Sequence, residues 1–360
     1  MSRAHLISRP KKCGKLRLLT SVLALFFVAF LFTSCGEIDE LYEGKDDQGQ
    51  GPYADVPFMW LVTSPSGETM YIFGSVHNGT PEIYPLSSTI MDAFHGSDYL
   101  ALEVWDEDVR GFSNVFLSYP ALFAEYLAYT DGRTLADDLS PELYQQLMMA
   151  LAEREQAISR FLRINLEDVG NFMPVLWAWV LWQIPVDGPY TVRLDFASNL
   201  WRRCPYGLDN FFASQARDFT LPRMPVLSIE CPTKIASEFA AMTMHGQIQV
   251  LKMWLEFWFG DFDEDDLFDG WAEVDDVEVW RRGDDEAILK LVSASFETAY
   301  ALEFWHILTA RRDYHMANRA QELMAEGKNV FFVVGAMHLL TENNVIDLLV
   351  QRGYRAERIR

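Results

Sequence analysis

The sequence lacks the short signatures that would name its chemistry outright. It has no HExxH pair, no GxxxxGK[ST] phosphate loop, no GxGxxG turn and no Gly-x-Ser-x-Gly elbow. Metalloprotease chemistry on a single helix, nucleotide binding by those loops, and acyl transfer from a serine elbow therefore find no support in the residues. Histidine is scarce at seven and cysteine at four. Basic residues are outnumbered 52 to 30 by acidic ones, for a formal net charge of −22. That balance works against nucleic acid and anionic lipid headgroups as partners. A chain that is 50% hydrophobic and 14% aromatic is also not a disordered one.

What basic charge there is gathers at the start. Arg3, Arg9, Lys11, Lys12, Lys15 and Arg17 precede an apolar run from Leu18 to Phe32, and Leu31-Phe32-Thr33-Ser34-Cys35 follows. The run is too short to span a bilayer. Residues 1–34 are thus expected to be a lipoprotein signal peptide, with ordinary export or an uncleaved anchor as the other two readings. Cleavage before Cys35 would leave that cysteine lipidated and the chain tethered to the cell membrane or outer membrane of a bacterium. Losing the six basic residues takes the remainder to about −28. Residues 35–55 read as a flexible tether. Cys13 leaves with the signal, so Cys204 and Cys231 remain, either as a disulfide that export permits or as two buried thiols.

One pattern occurs twice, near the two ends. Tyr71-Ile72-Phe73-Gly74-Ser75-Val76-His77 is echoed by Phe331-Phe332-Val333-Val334-Gly335-Ala336-Met337-His338. Each is an apolar, β-branched and aromatic run that reads as a buried strand, then a Gly, then a His three residues on. A His there sits just past the carboxyl end of a strand, where open α/β sheets hold ligands. One such imidazole is more often a hydrogen-bonded turn residue than a ligand. Two with the same strand, Gly and spacing suggest a shared site for a transition metal. Two further apolar runs, 98–104 and 224–230, end in or near Glu103 and Glu230. Either carboxylate alone is better explained by an exposed strand end or a salt bridge. Four strands each delivering His or Glu to one edge make a His/Glu metal centre the stronger reading.

Between the two motifs, residues 110–203 and 234–326 read as mostly helical. Ser87 and Ser140 look like helix N-caps, the latter followed by Pro at the first helical position. Trp177, Trp179 and Trp182 fit core packing or a groove lining. The acidic run Asp261-Phe262-Asp263-Glu264-Asp265-Asp266 lacks the Gly and ligand spacing of a calcium loop and reads as a solvated helix start. His95, His245, His306 and His315 fall on predicted helices as surface or capping residues. Ser75 reads as a turn residue without a nucleophilic role. The expected fold is α/β, a mixed central sheet with flanking helices and a large helical insertion, occupying residues 56–360.

The residues resemble the TraB/GumN family, which includes the Tiki-type proteases. The resemblance runs through Gly74-Ser75-Val76-His77, Tyr84-Pro85-Leu86, Glu103, Gly207-Leu208-Asp209, Ala216, Glu230, Gly283-Asp284, Arg312-Asp313, Gly335-Ala336-Met337-His338-Leu339 and Gly353-Tyr354. Met337 stands where a Gly is usual, Asp313 where an Asn is common, and Cys231-Pro232 follows Glu230 in place of a small polar residue. The resemblance implies a divalent-metal hydrolase using Mn, Co or Zn, with a peptide or protein as substrate. It makes His77 and His338 metal ligands, Glu103 a ligand or catalytic base, and Arg312 a charged group at the site. Glu230 joins the ligand candidates from its strand-end placement. The alternative is a non-enzymatic surface lipoprotein binding a metal, haem or a peptide in the same cleft.

Overall fold

The computed structural model describes residues 54–77, 79–105, 124–183, 206–217, 223–259, 276–293 and 299–360. The segment 1–34, Cys35, nearly all of the tether, Cys204 and the acidic run 261–266 lie outside the described residues.

Six strands form one mixed sheet: β1 (Met59–Thr63), β2 (Thr69–Ser75), β3 (Tyr99–Leu102), β4 (Val226–Ser228), β5 (Val330–Gly335) and β6 (Arg355–Ile359). Their order across the sheet is β4-β3-β5-β2-β1-β6. The first four in that order are mutually parallel, and β1 runs antiparallel to both β2 and β6. β5 is central and buried along its whole length, which is why Val-Phe-Phe-Val-Val runs without a polar break. The β1–β2 hairpin closes at Gly67, whose φ of 102° is open to glycine and strained for other residues. The two Gly-x-x-His motifs stand side by side because β2 and β5 are neighbours, with Ser75 opposite Gly335. The echo in the sequence is therefore one residue out of register in space.

Helices pack around this sheet: α1 (Ser88–His95), α2 (Pro141–Ala152), α3 (Pro174–Gln183), α4 (Leu208–Arg217), α5 (Pro232–Ala240), α6 (Met244–Phe259), α7 (Arg312–Ala325) and α8 (Val345–Gln351), with shorter ones between. Ser87, Ser140 and Asn344 cap α1, α2 and α8 by accepting backbone N–H bonds. Trp177 is fully buried on α3, as core packing requires. The rings of Phe73, Phe94, Phe212 and Phe331 lie 5.0–5.6 Å apart and lock α1 and α4 onto β2 and β5. No described helix is long and apolar enough to cross a membrane.

Two elements differ from the sequence reading. β6 was not expected, because Arg-Ala-Glu-Arg-Ile is charged and lacks an apolar alternation. It is an edge strand, where charge is tolerated and useful. A π-helical stretch, Ile307–Arg311, leads directly into α7. Such insertions recur at functional sites. The two residues that follow this stretch, Arg312 and Asp313, are both buried.

Candidate metal centre

The parallel strands β4, β3, β5 and β2 end along one edge, and each is followed by a candidate residue. Glu103 comes immediately after β3, Glu230 two residues after β4, His338 three residues after β5 and His77 two residues after β2. All four side chains are buried, Glu103 completely. Glu103 is the hub. Its Oε1 lies 3.7 Å from His77 Nε2 and 3.8 Å from His338 Nε2. The two imidazoles therefore lie inside the roughly 10 Å that one ion could serve.

The backbone holds this hub in place. The Gly335 N–H donates to Glu103 Oε1 at 2.6 Å, and the Glu230 N–H donates to the Glu103 carbonyl at 2.8 Å. Arg312, buried at the start of α7, donates from Nη2 to Glu103 Oε2 at 2.5 Å. It also donates from Nε and Nη2 to Glu230 Oε2 at 2.7 and 2.5 Å. Glu230 thus reaches the cluster through Arg312. His315, further along α7, instead has Nδ1 2.9 Å from Lys234 Nζ and Nε2 3.5 Å from Glu238.

The outer nitrogen of each imidazole meets a carboxylate. His77 Nδ1 is 2.5 Å from Asp209 Oδ2, and His338 Nδ1 is 2.5 Å from Asp313 Oδ1. Ser75 is buried in β2 and donates to both oxygens of Asp209, at 3.3 and 3.1 Å. This corrects the reading of Ser75 as a mere turn residue. Asp209, and Thr341, whose hydroxyl donates to Asp313 Oδ2 at 3.4 Å, carry no strand-end signal of the kind that marks His77 and Glu103. Asp209 is 132 residues from His77, so no local spacing betrays it.

Charge in the cluster is unbalanced. Glu103, Glu230, Asp209 and Asp313 are buried carboxylates; the Arg312 guanidinium bonds the first two, and His77 and His338 meet Asp209 and Asp313. Burial would raise the Glu103 carboxyl, but Arg312, then His338, His77 and the Gly335 N–H outweigh it and lower it to about 2. Burial raises Glu230 and Asp313, which Arg312 and His338 respectively only partly offset. His77 is raised above its ordinary value: burial opposes the charge, and Asp209 and Glu103 overcome it. A buried excess of negative charge is costly unless cations or protons answer it.

The donor set fits a divalent transition metal: two imidazoles and a carboxylate, as such ions prefer. Two ligands about 2.0–2.1 Å from a tetrahedral ion sit roughly 3.4 Å from each other. The observed 3.7 and 3.8 Å are a few tenths of an ångström wider. Among the described residues, no three His, Cys, Asp or Glu side chains are grouped tightly enough to hold an ion as they stand. The gap between them is open because Gly335 has no side chain. A Cβ there would lie 3.4 Å from Glu103 Oε1, 3.6 Å from His77 Nε2 and 3.7 Å from His338 Cδ2.

The two motif glycines therefore do different work, which a pair of variants separates. Gly335 has φ −54° and ψ 138°, which any residue adopts, so Gly335→Ala is expected to keep the melting temperature while filling the gap and weakening metal binding. A Cβ on Gly74 would lie 2.8 Å from Phe58 Cβ and 3.0 Å from Ala336 Cα, so Gly74→Ala is expected to cost about 1–3 kcal/mol in overpacking. Thermal melts beside Mn²⁺ titrations read both effects. Equal stability losses would contradict the distinction.

Acid titration offers another check. A carboxyl lowered from 4.5 to about 2 stabilises the fold fully above its unfolded value, and that contribution is lost as pH falls through the window. The stability advantage of the wild type over Glu103→Gln should therefore shrink between about pH 4.5 and about pH 2. An advantage undiminished across that window would refute the assignment.

Cys231 is exposed, and its Sγ lies 3.0 Å from Thr233 Oγ1. Its expected disulfide partner, Cys204, lies outside the described residues.

Neither curated proteins nor solved structures give a match to this chain. A family model does, over residues 58–358, from the first strand of the sheet to the last and across every residue of the cluster. The chain belongs to the TraB/PrgY/gumN family.

Proposed function

We propose that the chain is a divalent-metal-dependent hydrolase that acts on a peptide or protein outside the cytoplasm, tethered to a bacterial membrane by lipid on Cys35. One observation carries the reading. Two imidazole Nε2 atoms, from strands at opposite ends of the sequence, converge on one oxygen of Glu103 across a gap kept open by Gly335. His77, His338 and Glu103 would hold Mn, Co or Zn. Bound there, such an ion would act as a Lewis acid toward a scissile carbonyl and make water more acidic.

The residues' own roles follow from their bonds. Glu103 has Oε1 on the Gly335 N–H and Oε2 on Arg312, and its carboxyl is held near 2. So weak a base is poorly matched to proton abstraction near neutral pH, which supports Glu103 as a ligand over Glu103 as the base. Arg312 bonds both Glu103 and Glu230 and helps hold the Glu103 carboxyl low. That supports a charge-balancing role over direct contact with an oxyanion. Glu230, with its carboxyl raised by burial, is the better candidate to carry a proton in the site. The peptide class rests on the resemblance to the Tiki-type proteases.

A second reading, a surface lipoprotein that binds a metal, haem or a peptide without turnover, is favoured by the burial of every cluster residue. One experiment separates the two. The full chain in detergent, loaded with Mn²⁺, Co²⁺ or Zn²⁺, is assayed on a peptide library with and without chelator. The hydrolase reading expects cleavage that chelator abolishes and added metal restores. Stoichiometric metal with no cleavage would put the binding reading ahead.

A further inference from the structure

We propose that Asp209 and Asp313 are matched positioning residues, each fixing one imidazole as the Nδ1–H tautomer so that both Nε2 lone pairs face the gap at Gly335. The inference rests on the metal reading for its purpose, though the tautomers can be measured without any metal.

An ionised carboxylate only accepts hydrogen bonds, so the proton in each 2.5 Å contact belongs to the imidazole. A neutral ring with Nδ1–H then has Nε2 as its acceptor. Both Nε2 atoms turn toward Glu103 Oε1, itself an acceptor. With the outer nitrogen of each ring bonded to a carboxylate, the inner nitrogen is held on the Glu103 side. This is the arrangement in which an outer carboxylate orients a metal-ligating imidazole and raises its basicity.

The two carboxylates come from unrelated parts of the chain. Asp209 stands in the first turn of α4, and that turn is docked on the first motif. The Leu208 N–H donates to the Val76 carbonyl at 3.0 Å, and the Tyr84 hydroxyl donates to the Tyr206 carbonyl at 2.8 Å. Gly79 permits this close pass, because a Cβ there would overlap the Tyr206 carbonyl. Asp313 stands in the first turn of α7, just after the π-helical stretch. Two different scaffolds thus deliver the same contact to the same ring nitrogen.

The supports behind them are unequal. Ser75 holds Asp209 with bonds of 3.3 and 3.1 Å, whereas Thr341 reaches Asp313 with one at 3.4 Å. Ser75→Ala should therefore loosen its imidazole more than Thr341→Ala loosens the other.

The test uses the full chain in detergent with ¹⁵N-labelled histidine. Long-range ¹⁵N–¹H spectra of the metal-free protein should show protonated Nδ1 and unprotonated Nε2 for His77 and His338. Asp209→Ala should shift His77 toward the other tautomer, leave His338 unchanged and weaken Mn²⁺ binding about 10–100-fold. Asp209→Asn, whose amide oxygen still accepts, should recover much of that loss. If Asp209→Ala does not fold, Ser75→Ala reports the same shift on a smaller scale. An unchanged His77 tautomer with unchanged Mn²⁺ affinity in Asp209→Ala would overturn the proposal, as would two doubly protonated imidazoles in the wild type. Nδ1–H tautomers in a wild-type chain that takes up no Mn²⁺, Co²⁺ or Zn²⁺ would instead sink the metal reading and leave the tautomer assignment standing.

Discussion

Replacing His338 with alanine is expected to abolish metal uptake and hydrolysis together, and His77→Ala should do the same. Each imidazole supplies one of three donors around the Gly335 gap. Losing a ligand should cost more than the roughly 10–100-fold expected for an outer carboxylate. The fold should survive better than the function. His338 lies past the end of β5 in a short 3₁₀ turn, and the core packing of Phe331 and Phe332 does not depend on it. Measurement of Mn²⁺ per chain beside kcat/KM in both variants checks the claim. Hydrolysis at the wild-type rate in either one would leave the binding-protein reading in front.

Arg312→Met should have the largest effect on stability. It removes the guanidinium that Glu103 and Glu230 share and leaves two carboxylates buried without it. Breaking a buried pair by deleting one partner costs about 3–5 kcal/mol. At about 2–4 °C per kcal/mol for a domain of this general size, the melting temperature should fall by about 10 °C. Arg312→Lys should recover only part of this, because an ammonium cannot reproduce the paired Nε and Nη2 contacts on Glu230. The triple variant Arg312→Met, Glu103→Gln, Glu230→Gln should be less destabilised than Arg312→Met alone. Thermal melts within about 1 kcal/mol of wild type for Arg312→Met would show that the carboxylates are neutral in the folded protein.

The parts of this site that were legible in the sequence are those carried by strands. Val330 to Gly335 and Tyr71 to Ser75 announce themselves by unbroken apolar runs, and a His after each follows directly. That β2 and β5 are neighbours could be inferred only from the repeat itself. Glu103 and Glu230 were visible as acids ending apolar runs, but their strands proved shorter, ending at Leu102 and Ser228. What was not legible is the shell behind these residues. Asp209 and Ser75 meet across 134 positions, and the signal for that contact is three-dimensional. Arg312 and Asp313 open a regular buried stripe that continues through Met316, Ala317, Ala320, Leu323 and Met324, but the partner each one meets is again set in three dimensions. The π-helical stretch before them has no sequence signature of its own. The space that Gly335 leaves shows only once Glu103, His77 and His338 are placed around it. β6 escaped notice because an edge strand needs no apolar stripe.

On the proposed function, one cation belongs between His77, His338 and Glu103. Equilibrium binding of Mn²⁺ to the full chain, followed by the electron paramagnetic resonance of the free ion, tests it most directly. One tightly held ion per chain is expected, lost alike in His77→Ala and His338→Ala. Much weaker binding is expected in Gly335→Ala at an unchanged melting temperature. An ion that stays bound in the His77→Ala, His338→Ala double variant, or a wild-type chain that holds none, would contradict that placement.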